Sequence, residues 1–234
     1  MKNRFDLSGK KAVVTGGGSG IGEAISIALA SQGAEVFILE FSNESGQRVS
    51  AEIEGKGNKS HFISCNVADQ TSVKQAFSQI EGDIDILVNN AGVAHVGNLE
   101  NTNEEDFDRI YSVNVKGVYN CLKVGVEKMK TRGGAIINMA SVASLVGIAD
   151  RFAYSMSKGA VHTMTLSVAK DYIDYNIRCN SVAPGRVHTP FVDGFISKNY
   201  PGKEKEMFDN LAKTQPIGRM GKPEEIANLV LFLA

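Results

Sequence analysis

Two pairs in this chain place a tyrosine four residues before a lysine: Tyr154 and Lys158 in YSMSK, and Tyr119 and Lys123 in YNCLK. On a helix that spacing puts both side chains on one face. An ammonium group beside a phenol can draw its pKa from about 10 toward the working range of a general base. The chemistry implied is proton exchange with a substrate hydroxyl. Spacing alone does not choose between the pairs, so their surroundings must. Tyr154 follows the apolar run AIINMAS, which ends at Ser141, whereas Tyr119 lies inside an amphipathic segment and reads as helix surface.

A second cluster lies near the amino end, where TGGGSGIG packs five glycines between Gly16 and Gly22. Glycine gives nothing to pack and costs backbone entropy, so such density marks a linker or a place where backbone must approach something closely. The flanks favour the second, because KAVVT before it reads as a buried strand and Ile21, Ala24, Ile25, Ala28 and Leu29 after it repeat at helical spacing. A strand, a glycine turn and a helix amino terminus form a cradle for phosphate. The spacing of Gly16, Gly20 and Gly22 is not G-x-G-x-x-G, and no Gly-Lys-Ser or Gly-Lys-Thr follows, so a dinucleotide fits better than a nucleoside triphosphate. Glu40 ends the run EVFILE eighteen residues after Gly22 (40 − 22). A carboxylate there can accept the ribose hydroxyls of NAD and would repel the extra phosphate of NADP. NAD is therefore the expected cofactor, against the plain alternative of a solvated glutamate at a strand end.

The elements that must position these residues alternate along the chain. Strands are expected at KAVVT, EVFILE, SHFISC, DILVNN, AIINMAS and IRCNSVA, and helices around 20–32, 43–54, 70–80, 104–130 and 153–174. That alternation predicts one α/β domain over 1–234, a doubly wound Rossmann-type parallel sheet with helices on both faces and ligands at the carboxyl ends of its strands. The 25 basic and 26 acidic residues leave no field suited to nucleic acid. Cys65, Cys121 and Cys179 are odd in number and widely spaced, and the four histidines lack ligand spacing, so neither a disulfide framework nor a metal site is expected. With no apolar signal region at the start and no run long enough to span a bilayer, a cytoplasmic location is expected.

Taken together, TGGGSGIG, NNAG at Asn89 to Gly92, Asn114 in VNVKG, Ser141 in NMASVAS, YSMSK and APGRVHT at Ala183 to Thr189 resemble the short-chain dehydrogenases/reductases, in order from about Leu7 to the carboxyl end. The resemblance implies that Tyr154 exchanges the substrate proton, Lys158 holds the nicotinamide ribose, Ser141 orients the reacting oxygen, and Asn114 holds a water linking Lys158 to solvent. It implies cofactor contacts from Gly16, Ser19, Gly20, Ile21, Gly22, Glu40, Asn90, Ala91 and Gly92, with Pro184, Gly185, Val187 and Thr189 at the carboxamide. It further implies a homotetramer or homodimer. Two departures stand out. Asn66 precedes Val67 where the family usually has aspartate, which alters the adenine contact, and the chain ends at LVLFLA without the family's usual final strand, leaving an expected open sheet edge.

Within the family, the stretch from MASVAS through DRFAYSMSK to NIRCNSVAPG is similar to a subgroup acting on hydroxy and keto acids, the cytosolic 3-hydroxybutyrate and 2-keto-3-deoxy-L-fuconate dehydrogenases. That similarity makes Arg151 a candidate for the substrate carboxylate, since a planar guanidinium can hold it through two hydrogen bonds. The alternative is a surface arginine paired with Asp150. His95 is a candidate second polar contact, and residues 186–220 are expected to form the substrate lid. An NADPH-dependent reductase of 3-oxoacyl thioesters and a non-catalytic NAD(H)-binding sensor remain as other readings.

Overall fold

The computed structural model describes residues 4–234. Six strands, β1 (Lys11–Thr15), β2 (Glu35–Glu40), β3 (Ser60–Ser64), β4 (Ile86–Asn89), β5 (Gly134–Met139) and β6 (Ile177–Val182), pair in parallel in the order β3-β2-β1-β4-β5-β6. Consecutive side chains on a strand point to opposite faces, so a sheet covered on both sides needs apolar residues at every position. In β1, Val13 joins one core with Phe77, Cys121 and Val161, while Ala12 and Val14 join the other with Ile25, Leu29 and Val49.

Helices α1 (Gly20–Ser31), α2 (Asn43–Gly55) and α9 (Pro223–Leu233) supply residues to the second core; α3 (Gln70–Ser78), α5 (Gly117–Met129) and α6 (Phe152–Asp171) supply the first. The strand order reverses direction between β1 and β4, and a crevice opens there at the carboxyl ends of the strands. The register brings Thr15, Asn89 and Asn138 side by side across β1, β4 and β5 just below that crevice.

The sequence predicts one helix over 104–130, but the structure breaks it. Helix α4 (Glu104–Ile110) runs into a π turn at Tyr111–Lys116 and only then into α5. Periodicity cannot reveal a one-residue insertion in the hydrogen-bond register, and such turns persist where other contacts offset their cost. Here Asn114 supplies those contacts. The expected lid segment contains two mostly exposed helices, α7 (Pro190–Asn199) and α8 (Glu204–Lys213). Among the described residues β6 pairs only with β5.

Candidate active site

A cleft of about 950 Å³ runs along the carboxyl ends of the strands. Its lining includes eighteen of the residues proposed from sequence: Gly16, Ser19, Gly20, Ile21, Glu40, Asn66, Val67, Asn90, Ala91, Gly92, Ser141, Arg151, Tyr154, Lys158, Pro184, Gly185, Val187 and Thr189. Gly22, Asn114 and His95 are not part of it, and each has a different reason.

Gly22 packs beneath the turn that closes the cleft. A side chain there would collide with the carbonyl oxygen of Gly16 and the Asn90 amide, so it lets the turn fold tightly rather than touching a ligand. The turn itself is clamped from β4, because the Asn90 side chain donates to the carbonyls of Thr15 (3.2 Å) and Gly16 (3.0 Å). The Thr15 hydroxyl accepts from the Asn90 and Ala91 N–H groups, both at 3.1 Å. Asn90 therefore shapes the cradle with its amide.

Above the clamp, α1 begins with Ser19 extended and its hydroxyl not used as a cap. The first helical bond runs from Glu23 to the Ser19 carbonyl, which leaves the N–H groups of Gly20, Ile21 and Gly22 without helix acceptors. Those donors and the helix dipole suit a pyrophosphate. The start of α7 approaches the same point, where a methyl on Gly20 would lie 3.3 Å from the Thr189 side chain. At the adenosine end, the Glu40 carboxylate accepts from Gly18 N–H (3.1 Å), Phe41 N–H (2.8 Å) and Ser42 N–H (3.2 Å), which fixes its direction. Asn66 lines that end too, and its carbonyl oxygen accepts from Ala68 N–H at 3.1 Å, leaving the amide nitrogen for a ligand. A dinucleotide fits the size, the free donors and the pinned carboxylate of this cleft.

Ser141 and Lys158 meet Tyr154 at the other end. Ser141 follows β5, and Tyr154 and Lys158 lie one turn apart on α6, whose first turn is anchored where Phe152 N–H donates to Gly97 carbonyl at 3.1 Å. Lys158 is buried and donates to the Met139 carbonyl at 2.7 Å, with its nitrogen 5.8 Å from the Tyr154 ring centre. Burial without a carboxylate partner lowers the ammonium pKa to about 8.

The expectation that Lys158 depresses the phenol is not met. Burial raises the Tyr154 pKa above its ordinary value, against smaller opposing effects from a hydrogen bond with Ser141 and the charge of Arg151. A neutral phenol is a proton donor, which is one direction of the proton exchange that the sequence reading gives to Tyr154. Tyr119, the rival, is exposed, with Lys123 at 3.5 Å from its hydroxyl.

Asn114 sits behind the pair, fully buried. Its side chain accepts from Val93 N–H (2.8 Å) and donates to the Val93 carbonyl (2.9 Å) and the Ser157 hydroxyl (3.0 Å). The amide therefore ties the π turn to the loop after β4 and to α6. His95 is a correction: it faces Gly97, Thr102 and Asp106, with Nδ1 3.5 Å from the Asp106 carboxylate, and does not reach the cleft. A position after NNAG cannot say which way the side chain turns.

Arg151 lines the cleft and donates to the Asp150 backbone carbonyl at 2.8 Å; it makes no ion pair with Asp150 among the described residues. Several residues escaped the sequence reading. Thr15 precedes the glycine turn and could have been suspected from its place in TGGGSGIG. Arg186 stands inside APGRVHT, yet only the fold brings it and Gln215 to the cleft.

A family model described as enoyl-(acyl carrier protein) reductase matches residues 16–234. An uncharacterized oxidoreductase of Thermotoga maritima is 41% identical over 98% of this chain and 92% of its own length. A 3-oxoacyl-acyl-carrier-protein reductase of the same organism is 38% identical over 97% of this chain and 91% of its own length. The solved structure of levodione reductase superposes with a TM-score of 0.93 at 29% identity, covering 97% of this chain and 91% of the other. With the parallel sheet, the glycine cradle and the Ser141, Tyr154 and Lys158 cluster, these matches identify the chain as an oxidoreductase belonging to the short-chain dehydrogenase/reductase family.

Proposed function

We propose that this oxidoreductase uses NAD to interconvert a secondary alcohol and a ketone in a small hydroxy acid or keto-deoxy sugar acid. The observation that carries the acid reading is Arg151, a guanidinium lining the cleft near Tyr154 with no ion-pair partner among the described residues. A bound nicotinamide would accept or deliver the hydride. In the reducing direction the neutral Tyr154 phenol gives its proton to the carbonyl oxygen, with the Ser141 hydroxyl steering that oxygen. In the oxidising direction the tyrosinate takes the proton back. Lys158 stabilises that anion, and with a pKa of about 8 it is itself able to pass a proton near neutrality. Asn114 acts by holding the π turn and α6 in register, since its amide is occupied by Val93 and Ser157. A role for it in proton exit would fall to its backbone carbonyl.

Glu40 supports NAD over NADP, because its pinned carboxylate offers lone pairs to ribose hydroxyls and repels a phosphate. The test is titration of both cofactors into the parent and Glu40→Ala. NAD(H) should bind more tightly to the parent, and the variant should gain NADP(H) affinity; equal affinity in the parent ends the assignment. NADH formation across hydroxy acids, sugar acids and their methyl esters tests the substrate. The 38% identity to a 3-oxoacyl-acyl-carrier-protein reductase favours a second reading, a thioester reductase. It would win if the acids are inert and an acetoacetyl thioester is reduced. Exposed apolar side chains on α5 and α6, among them Tyr119, Phe152 and Leu166, support assembly as a homodimer or homotetramer, and three buried free cysteines agree with a reducing, cytoplasmic setting.

A further inference from the structure

We infer that Arg186 is the second half of an anion clamp, so that the substrate's carboxylate is held between Arg151 and Arg186 over the Tyr154 hydroxyl. The inference rests on the hydroxy-acid reading above and extends it to a residue that reading does not use.

Arg186 lies on the loop after β6, where its backbone is fixed from two sides. Its N–H donates to the Gln215 side chain at 3.1 Å, and its carbonyl accepts from Gly221 N–H at 2.9 Å. A backbone held this way aims the side chain, which lines the cleft. Its Nε is buried without a hydrogen-bond partner, and the guanidinium has no carboxylate among the described residues. An unsatisfied buried donor on a cation is costly, and such a cost persists where a ligand relieves it. Desolvation lowers the Arg186 pKa, and the charge of Arg151 adds to it in the same direction. Arg151 in turn lies close enough to Tyr154 to act on its phenol. Arg151, Tyr154 and Arg186 all line the same cleft.

The charge balance of the cleft points the same way. Its lining holds four cations, Arg109, Arg151, Lys158 and Arg186, and one carboxylate, Glu40. Arg109 is paired with Asp106 at 2.8 Å. Glu40 ends β2, four strand spacings away from β6, roughly 19 Å at the usual strand separation. Its carboxylate is therefore too far to neutralise the guanidinium pair. An anion arriving beside Tyr154 would satisfy the Arg186 Nε and remove the repulsion between the arginines in one step. A planar carboxylate suits two forks approaching from α6 and from the β6 loop.

The test measures KM and kcat under saturating NAD for the best acid of a hydroxy-acid panel and for its methyl ester, in the parent, R151M, R186Q and R186K, alongside NADH affinity. Arg186→Gln should raise KM for the acid roughly ten- to a hundredfold, as expected for one charged hydrogen-bonding partner, with kcat and NADH affinity nearly unchanged. The ester should be affected less than about threefold, and Arg186→Lys should recover part of the loss, which a merely structural role would not produce. Acid preference that disappears in R151M but survives in R186Q overturns the clamp and leaves the acid reading standing. Loss of NADH affinity in R186Q also overturns it, by placing Arg186 on the cofactor. A parent that prefers the ester overturns the acid reading itself, and the clamp with it.

Discussion

Tyr154 and Tyr119 carry the same spacing to a lysine, but Tyr154 lines the cleft whereas Tyr119 is exposed. Tyr154→Phe should lower turnover by about a hundred- to ten-thousandfold with cofactor binding intact, whereas Tyr119→Phe should leave the rate unchanged; steady-state rates and NADH titration check both. Lys158 carries a second prediction, about stability. Its pKa falls from the ordinary 10.5 to about 8 on burial, so between those values the unfolded chain binds more protons than the folded one. Stability of the cofactor-free protein should therefore rise with pH through this window, and the penalty should be fully present below about 8. Lys158→Met should abolish turnover yet raise the melting temperature at neutral pH by roughly 2–8 °C, about 1–2 kcal/mol after the lost bond to Met139 is counted. Calorimetry at several pH values reads the difference; a variant that melts lower than the parent at every pH would mean that the hydrogen bond outweighs desolvation. The sequence could bring Tyr154, Lys158 and Ser141 forward as candidates, and all three line one cleft. It could not give the sign of the phenol's shift, which depends on what surrounds it, nor the direction in which His95 points.

At the scale of elements, the glycine turn and the π turn were unequally legible. The turn after β1 announces itself, since at Gly16, with φ of +64°, a side chain would start 2.8 Å from the Ala91 Cα. The π turn leaves no trace in the hydrophobic pattern, because Tyr111–Lys116 keeps helical side-chain directions while its hydrogen bonds shift. What holds it is the Asn114 amide. Asn114→Ala would leave the N–H and carbonyl of the half-buried Val93 without their side-chain partner, costing about 1–2 kcal/mol and roughly 2–8 °C of melting temperature. Circular dichroism on heating measures that loss. The variant should lose activity more than it loses NADH binding, because the π turn abuts α6 and the catalytic pair rather than the phosphate cradle.

For the whole molecule, alternating apolar runs were enough to deduce the parallel sheet, since strands buried on both faces can hardly look otherwise. The surface proposed for assembly rests instead on apolar side chains such as Leu166 and Phe152 of α6, which the fold leaves exposed. A homodimer or homotetramer should appear in light scattering, and Leu166→Glu on α6 should shift it toward monomer with the melting temperature falling in step; a parent that scatters as a monomer would end the assembly proposal. At this scale the residues proposed for the cofactor and for the substrate also separate, with Glu40 at one end of the cleft and Arg186 at the other.

The close approach of Thr189 to Gly20 joins those ends in time as well as in space. The loop that carries Arg186 leads directly into the start of α7, and that start rests on the seat prepared for a pyrophosphate. Whatever fills the seat also steadies the loop, so the dinucleotide should enter first and leave last, with the acid trapped between. Initial-rate kinetics should then follow a compulsory sequence, with NADH competing against NAD alone and the keto product competing against neither substrate. Random-order inhibition patterns would mean that the two helix starts touch without governing each other.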